Sequence, residues 1–441
     1  MQTVELTGWG RYPRRPGPVA APRDVAEVAR LVGQGGVVAR GAGRAYGDSA
    51  MGAAATLDLS RLKRMLSFDA ATGRLVAEAG VVLGDVIAAF LPRGWFPYVT
   101  PGTKFVTLGG AIAADVHGKN HHRDGSFGTF VDWIDLMGAD GEVVRAEPGS
   151  EIFEWTLGGM GLTGVILRAA IRLRPVESAW IGQETIPATN LADAMAAFEG
   201  ADDATYSVAW IDCLSGGDSL GRSLVMTGEH VRAGDLPPDP RRHPFQTPRK
   251  RQRVVPFDAP AAALNRLTVR AFNGLYWARG LGAPRQRLVD WDSYFYPLDA
   301  VLGWNRIYGR RGFVQFQCAL PEESAEPGLR ALLGATSASG QGSFLAVLKR
   351  LGRQDSRFSF PMAGYTLALD FPANARTLAL LDRLDAITVD HGGRFYLAKD
   401  ARLAAATLHR ADARAGAFRA MRAAAGLDRD FASAQSERLL L

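Results

Sequence analysis

The 441-residue chain is poor in cysteine. Cys213 and Cys318 stand far apart, with no CxxC pair and no Cys/His cluster, which excludes a disulfide scaffold and a zinc site. Both read as buried strand residues. No stretch reaches about 18 uninterrupted apolar residues, the length a membrane span needs, and Met1-Gln2-Thr3-Val4-Glu5 lacks the basic-then-apolar pattern of a signal peptide. A cytoplasmic or peripherally membrane-associated protein is expected. Acid is missing locally: Arg241, Arg242, Arg249, Lys250, Arg251 and Arg253 fall within thirteen residues without Asp or Glu, directly after Leu236-Pro237-Pro238-Asp239-Pro240. This stretch reads as a loop, either a solvated mobile insertion or a patch for anionic lipid or phosphate. Neither aromatic interleaving nor a binding module accompanies the charge, so no nucleic-acid partner is expected.

What is present exceeds one compact core and predicts two domains. In the first half short strands and helices alternate. Apolar residues recur at helical spacing over Asp24–Val32, with Asp24 as N-cap, and Val37–Ala39 reads as a buried strand. Arg74–Gly80 predicts another strand, the region around Leu83–Leu91 a helix, and Leu108–Ala114 a helix start. Trp133–Val144 predicts two strands around an Asp140-Gly141 turn. The first domain closes near Pro175. Beyond it come longer predicted strands, at Tyr206–Cys213, Ser223–Glu229, Gly312–Leu320, Phe344–Lys349 and Thr366–Phe371, with helices between them as at Leu378–His391. That texture predicts an antiparallel sheet covered by helices, an α+β domain. The Ala/Arg-rich tail after residue 401 reads as amphipathic helix.

Three motifs carry chemistry. Ala39-Arg40-Gly41-Ala42-Gly43-Arg44-Ala45-Tyr46-Gly47-Asp48-Ser49 is a glycine-rich turn whose backbone N–H groups can approach phosphate oxygens. It misses the Rossmann G-x-G-x-x-G spacing and its acidic ribose partner, which argues against an NAD site. Thr100-Pro101-Gly102-Thr103, Thr107-Leu108-Gly109-Gly110-Ala111 and Asp115-Val116-His117-Gly118-Lys119-Asn120-His121-His122 put hydroxyls and glycines before a helix start, where donors favour a pyrophosphate. His117, in a cationic glycine-flanked turn, is a candidate functional residue. Gly158-Gly159-Met160-Gly161-Leu162-Thr163-Gly164-Val165-Ile166 is a glycine-dense passage into a strand. Alternation along Phe313–Cys318 puts Gln315 and Gln317 on one sheet face, which suits a sugar pocket or a wet surface.

Together these residues resemble the vanillyl-alcohol-oxidase/p-cresol methylhydroxylase superfamily of FAD enzymes, whose Arg-Gly-x-Gly loop, Gly-Gly-x-x-x loop and Gly-x-x-Gly-x-Ile strand surround an extended FAD. Within it, the chain resembles the decaprenylphosphoryl-ribose 2'-oxidase family from Gly10-Arg11-Tyr12-Pro13 to the C-terminus. That likeness includes Val116–His122, Trp304-Asn305-Arg306, Gln315-Phe316-Gln317, Ala346–Lys349 and Ala398-Lys399-Asp400. The resemblance implies an α+β fold in two domains: a PCMH-type FAD-binding domain over 1–175, and a substrate domain over 176–400 with a mobile basic insertion near 232–288. A C-terminal helical segment, 401–441, returns to the FAD domain.

For FAD the resemblance implies contacts from Arg40, Gly41, Ala42, Gly43, Arg44, Ala45, Tyr46, Gly47, Asp48 and Ser49. Further contacts come from Gly102, Thr103, Thr107, Leu108, Gly109, Gly110, Ala114, Asp115 and His117, from Gly164, Val165 and Ile166, and from Tyr396 and Lys399. Many superfamily members attach FAD through a histidine after the loop's second glycine. Arg44 stands there in this chain, so noncovalent FAD is expected. The implied reaction oxidises the 2'-hydroxyl of a polyprenyl-phosphoryl-β-D-ribose, with an NAD-dependent short-chain reductase completing an epimerisation to the arabinose form for cell-envelope polysaccharide. Quinone or oxygen would accept the electrons, and peripheral membrane contact, on the periplasmic face, belongs to the same picture.

Lys399, His117 and Tyr46 are the expected catalytic residues, Lys399 supplying positive charge near the flavin ring. The base stays open between His117, a tyrosine and Lys399. Lys119 and Lys349 would meet a substrate phosphate, and Gln315, Gln317, Tyr396 and Trp210 would line the pocket. Thr366 and Ala368 stand where the family's best-studied members carry Asn and Cys. Other readings are a soluble sugar, alditol or aldonolactone oxidase on the same flavin domain, and a flavin- or lipid-binding protein without turnover.

Overall fold

A computed structural model describes residues 1–248, 250–260, 263–343 and 345–441. Its first half builds two sheets. In a four-stranded sheet, Ala55–Asp58 pairs in parallel with Arg14–Ala20 and Val37–Arg40, and Gln2–Thr7 closes the edge. The helix Val25–Val32 buries Val28, Leu31 and Val32. Asp24 starts it by accepting the Glu27 N–H at 2.9 Å, a cap contributing about 1 kcal/mol.

The second sheet centres on Val165–Pro175, flanked by Arg74–Glu78 on one side and Val131–Met137 on the other, with Met65–Asp69 and Val143–Ala146 outside them. Val131–Met137 and Val143–Ala146 form the hairpin expected around Asp140-Gly141. Gly141 has φ +81°, the left-handed conformation that favours glycine, and Gly138 N–H reaches Glu142 O at 2.9 Å.

From residue 180 an eight-stranded sheet takes over, in the order Gln286–Asp290, Trp180–Ala188, Ser223–His230, Tyr206–Ile211, Ala346–Leu351, Gly364–Pro372, Phe313–Pro321, Arg394–Phe395. Its neighbours pair antiparallel. One face buries Val314, Phe316, Cys318, Leu348, Leu367 and Leu369, and the helices Ala325–Ser339 and Ala375–Asp390 contact these strands. The whole is α+β, as the sequence predicts. Phe344 and Arg249, which begin an expected strand and belong to the basic loop, lie outside the described residues.

Two expectations change. Cys213 is buried but sits in the turn beyond Tyr206–Ile211, where its Sγ accepts the Ser343 N–H at 3.2 Å. The basic region is less loop-like than its composition suggests, for it contains the helix Pro238–Arg242 and, within 232–288, the 17-residue helix Arg266–Gly282. The latter escapes a periodicity reading because its exposed side is apolar, so no clean polar face marks it.

The C-terminal tail forms the helices Ala405–Ala411, Arg414–Ala424, Leu427–Asp430 and Ala434–Leu439, and β-bridges join Val37 to Phe431 and Gly52 to Ser433. Among the described residues no helix is long and apolar enough to cross a membrane.

Candidate active site

Directly paired residues in an antiparallel sheet share a face, so register locates the site. Gln317 pairs with Ala368, Ala368 with Val347, and Val347 with Trp210. On the same face, Gln315 pairs with Asp370, and Ala319 with Thr366, which in turn pairs with Lys349. Two amides, a hydroxyl, a lysine and a buried carboxylate thus stand opposite the helix-covered face. Ala368 at their centre is half-buried and leaves room where a larger side chain would project.

His117 meets this face. Thr366 Oγ1 donates to Cys318 O at 2.8 Å, and Gln317 Nε2 lies 3.1 Å from both Thr366 Oγ1 and His117 Nε2. Since the threonine's hydrogen is committed, Gln317 donates to both, and His117 Nε2 accepts. The ring proton is therefore on Nδ1, a buried atom without a hydrogen-bond partner among the described residues. Burial, with the charges of Lys349, His121 and Lys399, holds the imidazole well below its usual pKa. His117 is a neutral donor whose lone pair is already engaged. Tyr396 stacks on Phe360 with ring centroids 4.7 Å apart, lies 5.2 Å from the His117 ring, and donates its hydroxyl to Ala114 O at 3.0 Å.

Lys399 follows the short strand Arg394–Phe395, in a turn, with Nζ 3.8 Å from the centre of the Tyr46 ring. Burial lowers its pKa, Asp370 raises it and Lys349 lowers it. Asp370 accepts from Gln315 Nε2, and burial raises its carboxyl above the ordinary range. Burial also depresses Lys349, to about 8, and Lys119, to about 7 with help from Lys349. Lys119 Nζ donates to Tyr294 O and lies 4.2 Å from that ring's centre, so it links the two halves of the molecule. Among the described residues nothing ties down the Lys349 ammonium. Burial pushes the Tyr46 phenol well above its usual pKa.

The glycine-rich loop is joined to the Lys399 turn. Tyr46 N–H reaches Ala398 O at 2.9 Å, and a Cβ on Gly47 would stand 2.1 Å from Asp400 O, so only glycine permits that approach. Gly41 is similarly pressed on Thr107, whose Oγ1 caps the helix Leu108–Ala113 through the Gly110 N–H at 3.3 Å. Gly109 packs on Ala79, while Gly43 has φ +63°. Arg44 lies over the rings of Trp9 and Phe105, 4.1 and 5.0 Å from their centres, with Nε buried and unpartnered. Ala42, Ala45 and Ser49 complete this loop, Ser49 buried.

Several expected contacts are occupied by protein. Arg40 donates to Thr7 O at 2.7 Å. Asp48 accepts from Arg438 at 2.7 Å. The Asp115 carboxylate receives Ser126 Oγ at 2.6 Å, Gly128 N–H at 2.8 Å, Gln354 Nε2 at 2.9 Å, and Ser359 Oγ. These side chains hold the loops in shape and leave only their backbones for a ligand. Thr103 Oγ1 donates to Asp299 at 2.8 Å, which clamps its turn, while Gly102 faces open space. Gly164, Val165 and Ile166 lie in the buried start of the central strand, where Val165 pairs with Met137. Trp210 packs its ring on Tyr276, 4.7 Å between centres. In the His-Gly-Lys-Asn-His-His string, His121 is bound between Gly352 N–H and Gln354 Oε1 and His122 to Ala204 O, whereas the third histidine, His117, meets the amide face through Gln317.

Sequence reasoning missed Asp370, Trp9 and Asp299. Asp370 alone had a signal, lying two residues beyond Ala368 on a strand of period two.

The residues present fit FAD. Two buried donors, His117 Nδ1 and Arg44 Nε, await acceptors, and the backbone of two apposed glycine loops lies beside them. A family model described as an FAD binding domain matches residues 16–147. The chain is 36% identical to the decaprenylphosphoryl-beta-D-ribose oxidase of Mycolicibacterium smegmatis, over 100% of this chain and 98% of that one. An uncharacterized protein of Streptomyces coelicolor is 36% identical over 81% of this chain and 100% of its own length. Cytokinin dehydrogenase 10 of Oryza sativa subsp. japonica is 32% identical over 24% of this chain and 20% of its own. The glycine loops, the His117 turn and the full-length identity converge: the chain is an FAD-dependent oxidoreductase and belongs to the decaprenylphosphoryl-β-D-ribose oxidase family.

Proposed function

We propose that the chain oxidises the 2'-hydroxyl of a polyprenyl-phosphoryl-β-D-ribose to the 2'-keto sugar, with FAD held noncovalently. One observation carries the choice of substrate. Lys349 stands on the amide face beside Thr366, close enough to Lys119 for its charge to lower that lysine's pKa, and this pair of cations favours an anionic sugar over a neutral alditol. Lys349, without a hydrogen-bond or ion-pair partner among the described residues, is the group for the phosphate.

FAD, when bound between the glycine loops, supplies the hydride acceptor. The chain's own residues move the proton. His117 has its lone pair engaged, Tyr396 donates to Ala114 O, and Tyr46 is held protonated, so none is free to accept. Lys399, its pKa depressed by burial, takes the hydroxyl proton as a neutral amine and is left as an ammonium. Gln317 and His117 fix the polar wall against which the sugar lies. The keto product would pass to a separate NAD-dependent reductase that completes the epimerisation, and quinone or oxygen would take the electrons.

The test is anaerobic mixing with prenyl-phosphoryl ribose and, separately, with free ribose and alditols, followed by flavin absorbance. Bleaching by the lipid phosphate alone supports the proposal. Equal or faster bleaching by the free sugars would assign the chain to soluble-sugar oxidation instead.

A further inference from the structure

The short helix Ala434–Leu439 lies where two segments of the site meet. Ser433 starts it with a capping box, its Oγ accepting the Ser436 N–H at 3.1 Å, and the Ala434 N–H reaches Met51 O at 2.8 Å, which seats the helix beside the end of the glycine-rich loop. One turn further along, Arg438 holds two carboxylates. Its Nη2 and Nε donate to the Asp48 oxygens at 2.7 and 3.1 Å, a bidentate grip. Nη2 also donates to Asp400 Oδ2 at 2.8 Å, and Nη1 to Leu403 O at 2.6 Å. Gln435, on the same helix, donates Nε2 to Leu397 O at 2.8 Å and to Asp400 Oδ2 at 3.2 Å.

These carboxylates belong to the segments that come together at Lys399. Asp48 follows Tyr46 and Gly47 in the glycine-rich loop. Asp400 follows Lys399, and its other oxygen, Oδ1, accepts the Arg402 and Leu403 N–H groups at 2.9 and 2.7 Å, which fixes the turn. The two segments touch where the Tyr46 N–H meets Ala398 O and where Lys399 Nζ lies over the Tyr46 ring. Both carboxylates are buried. Burial raises the Asp48 carboxyl's pKa, Arg438 opposes that rise, and the Asp400 charge adds to it. Two buried carboxylates on one guanidinium repel each other, and the cation between them turns that repulsion into a clamp. The planar fork reaches both at once, which a single ammonium does not.

We infer that Arg438 is a positioning residue: by bridging Asp48 and Asp400 it holds the Lys399 turn against the glycine-rich loop, and so sets the place of the Lys399 amine at the flavin site. The inference rests on the assignment of Lys399 to the reaction. Every donor nitrogen of Arg438 is engaged by protein, so it acts through the turn and not on the substrate.

The test compares the holoprotein with Arg438→Gln, with Lys399→Ala and with both changes together. The first readout is the midpoint potential of the flavin, measured by dye equilibration at mildly acid pH, where the Lys399 amine keeps its proton, and with no sugar present. Positive charge near the ring stabilises the reduced flavin, so Lys399→Ala should make the potential more negative. Arg438→Gln should move it the same way by a smaller amount, and in the Lys399→Ala background it should add nothing, as for two residues acting through one group. The second readout is rapid mixing with prenyl-phosphoryl ribose. Arg438→Gln should lower the limiting rate of flavin reduction about tenfold or more, the effect of a misplaced group, and Arg438→Lys should recover part of that rate. The apparent substrate dissociation constant should stay within about twofold, because Lys349 and Gln317 stand on strands that Arg438 does not touch. The potential needs no substrate, so it decides the inference even if prenyl-phosphoryl ribose fails to bleach the unaltered protein. An unmoved potential in Lys399→Ala would sink the assignment of Lys399 and this inference with it. A potential that moves in Lys399→Ala but not in Arg438→Gln, or a full further shift in the double variant, overturns the inference alone. Should Arg438→Gln fail to hold flavin, Gln435→Met, which removes only the second contact to Asp400, should shift the potential in the same direction by less, and no shift there also overturns it.

Discussion

Gln317 donates its amide to His117 Nε2 across 3.1 Å, and Thr366, held on Cys318 O, fixes which end of that amide points to the ring. A strand thereby sets the tautomer of a histidine from another part of the chain. Replacing Gln317 with Leu removes the donor and frees the ring, so reduction of the flavin by substrate should slow by about a hundredfold, in the range for a misplaced catalytic group, with flavin content retained. Thr366→Val keeps the shape but loosens the amide, and a smaller loss of the same kind is expected. Rapid-mixing kinetics at saturating substrate checks both. Unchanged rates would assign the triad to packing alone.

Lys399 and Asp370 form the second relationship. The lysine must be neutral to accept a proton, so the limiting rate of flavin reduction should rise with pH as the ammonium loses its proton, and fall about tenfold per unit below that point. Burial moves this limb down from the ordinary lysine range toward neutrality. Lys399→Ala should abolish turnover and erase the limb, flavin content being largely preserved. Because the Asp370 charge raises the lysine's pKa, Asp370→Asn should shift the limb to lower pH. A shift to higher pH would mean that another group is the base.

The proposed noncovalent attachment of the flavin rests on Arg44, which stands where a linking histidine occurs in many superfamily members and lies over Trp9 and Phe105. A guanidinium offers no nucleophile for the linkage. Acid precipitation should leave the yellow colour in the supernatant, and mass spectrometry of the pellet should give the mass of the unmodified chain. Flavin retained by the pellet would identify a different linking residue.

The sequence made the fold class legible because hairpin turns, caps and alternation are local, as Asp24, Gly141 and the Gln315/Gln317 pair illustrate. The relations that make the site were beyond it. Nothing in one strand announces that Gln317 reaches His117, or that Gly47 is glycine because Asp400 O lies against it, since both depend on segments hundreds of residues apart. The partners of polar loop side chains were equally out of reach: Asp48 and Asp115 belong to a ligand-type motif, and their carboxylates are engaged by protein donors from distant segments. The helix Arg266–Gly282 was obscured by an apolar outer face.

Arg422 provides the last prediction, one on stability. It is 1% exposed and donates to four main-chain carbonyls: Leu162 O at 3.1 Å, Leu427 O at 3.3 Å, and those of Phe431 and Leu441. A buried charge is tolerated where donors and acceptors are matched, and here the guanidinium fork joins the glycine-dense passage before the central strand to the C-terminal tail. Arg422→Met preserves much of the volume but leaves those carbonyls without a donor, at about 1 kcal/mol or more each, so a loss of about 3 kcal/mol or more is expected. Arg422→Lys, with one nitrogen in place of the fork, should fall between. The measurement is thermal unfolding followed by tryptophan fluorescence, with limited proteolysis to test whether the tail detaches first. An unchanged midpoint for Arg422→Met would show that the tail holds to the domain by its apolar contacts, Phe418 and Phe431 foremost, without the arginine.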